Sequence, residues 1–423
     1  MSGPVRRPGR HRHSGAESPD PGQGHGHGHG HGRPAPSSRR VQLLLVAVLV
    51  PVMLATLVGV LLTWPGDPPQ RSGVDLGFGQ RPVDGEVLEA SFAPCTGGAS
   101  AKGQDTGCVA LTVQLTEGSS AGTTIRQVLP NEPSTPQFAA GDDVVLAYSG
   151  GDPGDELSYQ VVDFQRGAPM LWLVALFAVA VLLLGRWKGL ASLLALGFSF
   201  LVLVLYLFPA ILGGADPVLV GVLAAGVIMF GVLYLSHGVS VQTSTAVLGT
   251  LLSLALIGLM GSAFTAFTQL TGLGSDTANL ISILGHGIDA RGLLLAGVII
   301  GTLGVLDDVT VTQASAVWEL RRANPELGVR ALYSSALRIG RDHISSAVNT
   351  LALAYAGASL PLLLAFSLAG QSFGTLVTAQ EVAQEVLRTL VGSIGLVAAV
   401  PITTALAALV ARRDEIDPAV PGS

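Results

Sequence analysis

Charge is what this chain has least of. Asp, Glu, Lys and Arg make up 12% of its 423 residues, about half the share usual in soluble domains. Apolar residues make up 49%, and the mean hydropathy is +0.55. Together these exclude an ordinary soluble fold and define a polytopic membrane protein. Lysine is nearly absent and arginine stands in its place, a trait of GC-rich bacterial genomes that carries no functional weight. The net charge of −6 is spread over separate loops, and without a basic patch no nucleic-acid partner is expected. Cysteine is limited to Cys95 and Cys108, too far apart for a Cys-x-x-Cys site. There is no glycine-rich phosphate loop and no serine, cysteine or histidine grouping suited to catalysis. The chain reads as a non-enzyme without a cofactor.

Residues 1–40 combine Pro, Gly, Ser, Arg and His with no apolar period and are expected to form a disordered tail. Gly24 to Gly32 reads GHGHGHGHG. His25, His27, His29 and His31 can wrap an adventitious divalent metal ion such as nickel, zinc or copper; compositional drift with no dedicated metal is the alternative. Residues 41–64 are the first apolar run, behind Arg39 and Arg40. This run is longer than a signal-peptide core and lacks a small-residue cleavage site, so it reads as an uncleaved anchor. The arginines hold the tail in the cytoplasm and send residues 65–167 outside.

Gly and Pro divide that outer segment into five runs of strand character, at 85–92, 108–115, 123–129, 143–148 and 157–164. Five short strands predict a small extracytoplasmic β-barrel, OB-like in arrangement. Both cysteines fall here, and outside the membrane they are expected to form a disulfide. A ligand, a protein partner or simple capping of the bundle all fit such a domain.

From residue 168 the chain is a mainly α helical membrane bundle. Apolar runs predict helices at 168–185, 189–212, 217–236, 246–270, 291–312, 344–367 and 388–411. With the anchor these give about eight spans, a seven-helix membrane domain over 168–413 and a cytoplasmic tail at 414–423. Arg186 and Lys188, the arginine-rich loop 319–342, and Arg412 and Arg413 all fall on the cytoplasmic side. Both termini are then cytoplasmic, in a bacterial cell membrane. Residues 371–388 have an amphipathic character that suits the outer surface.

The chemistry centres on residues 291–320, RGLLLAGVIIGTLGVLDDVTVTQASAVWEL. Gly297, Gly301, Gly304, Asp308, Thr312 and Ser315 recur at helical spacing and share one stripe. Glycines on a membrane helix let a neighbouring helix approach, so the stripe is expected to face protein, with Asp308 turned into the bundle. Asp307 lies about 100° away around the axis and ranks below it. Gln313 adds a polar group beside the stripe. A second stretch, Gly340 to Pro361, places Asp342, Ser345, Ser346, Asn349, Ala356 and Gly357 on a common face. Asn349 falls inside the membrane, where an amide requires a helix or water as partner. Residues 225–247 also echo residues 296–317 with one gap, aligning His237 with the acids. That echo suggests a duplicated unit and a shared cytoplasm-facing vestibule.

Two motifs carry a resemblance. One is G-x-x-G-x-x-x-D-V at Gly301, Gly304, Asp308 and Val309. The other is G-R-D followed by N-T-L-x-L-A-Y-x-G-x-x-L-P across Gly340–Pro361. In these the chain resembles the YibE/F family of bacterial multipass membrane proteins, over roughly residues 74–412. The doubled acid departs from the family pattern, which calls for the position of Asp308. The resemblance implies an integral membrane protein and leaves its activity open. The residues themselves favour a secondary transporter or permease for a small solute or ion, proton-coupled through Asp308, with Asp307, Thr312, Gln313, Ser315, Ser346, Asn349 and His237 along a polar path. The alternative is a scaffold, a homo-oligomer or partner-binding protein acting through its outer domain. An aspartyl hydrolase needs two facing carboxylates, and neighbours on one helix point apart.

Overall fold

The computed structural model describes residues 38–66, 80–95, 107–118, 120–132, 135–273, 288–370 and 372–413. The histidine tract at His25–His31, most of the N-terminal tail and the C-terminal tail lie outside the described residues. Among the described residues, six helices are long and apolar enough to cross a membrane, and a bent pair makes a seventh if counted as one span. A small curled antiparallel sheet completes the fold.

The first helix, α1 (Arg39–Leu62), buries only Val41, Leu45 and Leu49. Nearly all its other leucines and valines are exposed, as suits a helix with lipid on most sides. α2 (Gly167–Val202) continues through a π-helical turn at Leu203–Leu207 to Leu212. It is broken at Arg186, where φ is 50° and ψ −127°. A Cβ on Gly189 would lie 2.4 Å from the Val181 carbonyl oxygen, although eight residues along an unbroken helix separate groups by about 12 Å. The chain therefore turns back on itself there, and glycine is required at the corner.

The remaining helices are α3 (Pro217–His237), α4 (Val241–Phe267), α5 (Ala290–Ala323), α6 (Val329–Ala358), α7 (Leu360–Leu368), α8 (Phe373–Thr378) and α9 (Gln380–Arg413). α4, α5 and α9 pack on one another at the centre; α3 closes on α5 and α6 on α9. Small residues set these crossings. A Cβ on Gly249 of α4 would meet Thr403 of α9 at 2.3 Å, and one on Gly221 of α3 would meet Ala296 of α5 at 2.8 Å. α6 and α7 meet at a 56° bend.

Three expectations are corrected here. Residues 380–388 belong to α9, which runs unbroken from Gln380, so the stretch from 371 holds no separate surface helix beyond the short α8. Residues 225–247 cross from α3 into α4 through a break at Gly238 (φ 73°), whereas 296–317 form one continuous helix. The echo is one of apolar composition and does not mark a structural repeat. α5 and α6 also run well beyond the apolar cores at 291–312 and 344–367, because their polar ends continue as helix.

The sheet comprises β1 (Arg81–Ala93), β2 (Cys108–Leu115), β3 (Thr124–Pro130), β4 (Asp143–Tyr148) and β5 (Tyr159–Phe164), in the order β3-β2-β1-β4-β5. Val87, Leu111, Val113, Leu115, Ile125, Val144 and Leu146 fill its inner face. β1 serves two neighbours, and Gly85 pairs with both Leu115 and Val144. A Cβ there would come within 2.9 Å of side chains on both sides, so the sheet curls around a residue with no side chain. The two edges approach through Gln127 of β3. Its side-chain oxygen accepts from Val161 N at 2.8 Å, and its Nε2 donates to the Tyr159 carbonyl. One amide thus does for the β5 edge what a neighbouring strand does elsewhere. At the exit to α2, the Arg166 guanidinium pairs with Asp163 at 2.5 Å and holds that carboxyl below its usual value of 3.8. Both groups are solvent-exposed, so the pair adds little stability.

Cys95 and Cys108 form the expected disulfide, 13 residues apart. A loop of that size is worth about 3 kcal/mol to the folded domain. Cys95→Ser is expected to lower the unfolding midpoint of the outer domain, and reductant is expected to do the same to the native chain but nothing further to the variant. Thermal melts of both proteins with and without dithiothreitol check this.

Candidate functional site

α5 sends its two acids to different places. Successive residues on a helix differ by about 100°, and that angle separates the inside of the bundle from its surface. Asp307 is 7% exposed and faces α4 and α9 with Thr302, Thr310, Gln313 and Ala314. Asp308 is exposed. The expectation that the glycine stripe and Asp308 face the bundle is therefore reversed. Bulk decides the matter: Leu294, Leu295, Val298, Ile299, Leu303 and Leu306 fill the core, and the glycines are left on the open side. Only Gly301 meets a close neighbour there, since its Cβ would lie 2.9 Å from the Tyr355 hydroxyl. Gly297 is near Arg388, while Gly304 and Gly357 have nothing within 4 Å. Outward of Gly301, Arg388 pairs with Glu385 at 2.6 Å and stands over the Tyr355 ring.

Behind Asp307 lies a polar seam through the centre of the bundle. Thr250 of α4 and Thr310 of α5 share a hydrogen bond of 2.8 Å, and Thr310 also donates to the Asp307 backbone carbonyl at 3.1 Å. The Asp307 carboxylate reaches the Thr250 side chain, but its Oδ1 has no partner. Six residues further along α5, fully buried Gln313 meets the Thr404 hydroxyl of α9 at 2.9 Å. Gln313 Nε2 and Thr403 Oγ1 are also buried without partners. The three ion pairs among the described residues, Arg166–Asp163, Arg322–Glu319 and Arg388–Glu385, all lie elsewhere. An acid buried with no counter-ion is costly in a membrane unless it takes up a proton or a cation.

On the other side of α5, a groove of about 320 Å³ opens between α5 and α6. Asp308, Thr312 and Gln313 line it from α5; His343, Ser346 and Thr350 line it from α6, above an apolar wall of Val305, Val309 and Leu351. Two partners were open to the polar face of α6, a neighbouring helix or water, and the structure leaves that face exposed. The inner side of α6 is Leu332, Ala336, Gly340 and Leu351, with Ile344, Ala347 and Val348 packed on Val309, Leu396 and Val400. Asp342, Ser345, Ser346 and Asn349 are exposed. Ser346 reaches the groove and Asn349 does not line it. Gly340 explains the close approach of α6: its Cβ would lie 2.6 Å from Val400 and 2.7 Å from Gln313 Nε2.

A smaller cavity of about 210 Å³ lies among His237, Ser240, Gln242, Thr243 and Arg322. Gln242 donates to Ser315 at 2.7 Å. The His237 and Ser315 regions thus meet as expected, although through helix packing and not through a repeat. His343, Thr350, Thr250, Thr310 and Thr404 escaped the sequence reading. For the α6 pair a signal existed, because His343, Ser346 and Thr350 follow helical spacing.

These features define a polytopic helical membrane protein with a buried polar seam and an adjoining groove. The family model described as YibE/F-like protein matches residues 173–413, and the chain belongs to that family. The match covers every residue of the seam and groove and does not include the sheet at 81–164. No curated protein and no solved structure matches the chain.

Cysteine placed at 308 is expected to react with a small water-soluble thiol reagent in cytoplasm-exposed vesicles, and cysteine at 307 to stay protected; equal labelling of the two would remove the distinction drawn above. Gly340→Ala is expected to cost about 1–3 kcal/mol through overpacking, read as a lower melting temperature in detergent.

Proposed function

We propose that this protein is a secondary transporter or permease for a small solute or ion, coupled to protons through Asp307. The observation that carries this reading is the 7%-exposed Asp307 carboxylate in a seam of hydroxyls, with its Oδ1 left without a partner. A proton on that group neutralises it, and the Thr250 and Thr310 hydroxyls offer it a hydrogen-bonded route. The cargo path is the adjoining groove, bounded by Asp308, with Tyr355 over Gly301 as its outer limit. Sealed acid and open groove share one helix, so a small rotation of α5 couples them. Asp308 and Asn349 were the first choices from sequence; Asp307 now takes the titrating role, Asp308 that of the path, and Asn349 drops out.

The corner at Arg186 supports reading the 46 residues of Gly167–Leu212 as two spans. With the bent α6–α7 pair as one more, the total is eight, both termini are cytoplasmic, and the sheet lies outside in the manner of an OB-like barrel. We read the chain as neither enzyme nor cofactor carrier, placed in a bacterial cell membrane. The scaffold alternative draws support from Phe92, which is 84% exposed on the outer sheet.

Proteoliposomes test the choice. Asp307→Asn is expected to abolish proton movement on an imposed pH gradient while leaving the elution profile and helix content of the protein unchanged. Full proton flux in that variant removes the coupling role. A cellular phenotype lost on disrupting the outer domain yet unmoved by Asp307→Asn favours the scaffold.

A further inference from the structure

The groove between α5 and α6 is large for a bare ion. Its volume of about 320 Å³ falls at the lower end of cavities that hold small molecules. Its wall has two characters: Val305, Val309 and Leu351 form an apolar floor, while Asp308, Thr312 and Thr350 supply oxygen. The Asp308 carboxylate makes no hydrogen bond or ion pair with another described residue and is the only carboxylate lining the groove. No arginine or lysine lines it.

His343 and Ser346 complete the polar side of the groove. A lone carboxylate among free hydroxyls calls for a donor that carries positive charge.

We propose that the groove binds a small organic cation, a protonated amine with a short branched apolar body. Its ammonium group sits at Asp308 and its alkyl part lies along Val309 and Leu351. This deepens the transport reading by naming a cargo class and rests on that reading only for the claim that the cation moves. The chain reconstituted in nanodiscs is titrated by calorimetry with isobutylammonium chloride, and with isobutanol and sodium isovalerate as neutral and anionic counterparts. Saturable binding of the amine alone is expected, weakened about tenfold or more by Asp308→Asn, since a charged hydrogen bond is worth roughly 1.5–3 kcal/mol. Asp308→Glu, which keeps the charge, is expected to retain it and so separates charge loss from misfolding. Amine binding unchanged in Asp308→Asn, or equal binding of isobutanol, overturns the proposal. Saturable amine binding without amine flux in proteoliposomes leaves the site standing and removes the transport reading. Asp307-dependent proton flux with no amine binding does the opposite.

Discussion

An acid enclosed by helices, with no cation beside it, is the condition to which the rest of the membrane domain answers. Asp307 is held where three helices meet, and the residues around it are chosen to tolerate it. Threonines on α4, α5 and α9 line the seam, each able to return a hydrogen bond to its own helix, as Thr250, Thr302 and Thr404 do. Such residues add polarity without leaving a helix unsatisfied. Close crossings at Gly249 and Gly340 then bring the helices near enough for those hydroxyls and for Gln313 to reach across. Filling either glycine separates the helices and breaks the seam.

Two adjacent carboxylates on one helix meet two different environments. The 100° step between neighbours points one inward to a dry seam and one outward to a groove, at nearly the same depth. Whatever turns α5 alters both environments together. Tyr355 stands above this pair at Gly301, and the Glu385–Arg388 pair stands above Tyr355.

The five-stranded sheet obeys a different constraint. It is small, and a small sheet has two edges and little core. Gly85 lets β1 curl between two partners, Gln127 ties β3 to β5, and the disulfide fastens the start of β2 to the chain that follows β1. These devices were legible to different degrees. The strands at 108–115 and 143–148 and the cysteine pair follow from alternation and compartment. Gln127 reads as one more polar residue on a strand until its partner across the sheet is known.

Composition and apolar run length by themselves determined the membrane class and the position of nearly every helix, and Gly and Pro spacing marked the strands of the small sheet. Those properties are local, and bilayer thickness turns them directly into structure. Orientation about each helix axis was decided only by the tertiary structure. Helical spacing shows which residues share a face, and it grouped Gly297 with Asp308 and Ser346 with Asn349 correctly. It does not say whether a face meets protein, lipid or a groove, because in a membrane the lipid-facing and protein-facing sides can be equally apolar. On α5 the bulky leucines took the core, the glycines were left outside, and the choice between Asp307 and Asp308 followed from that packing.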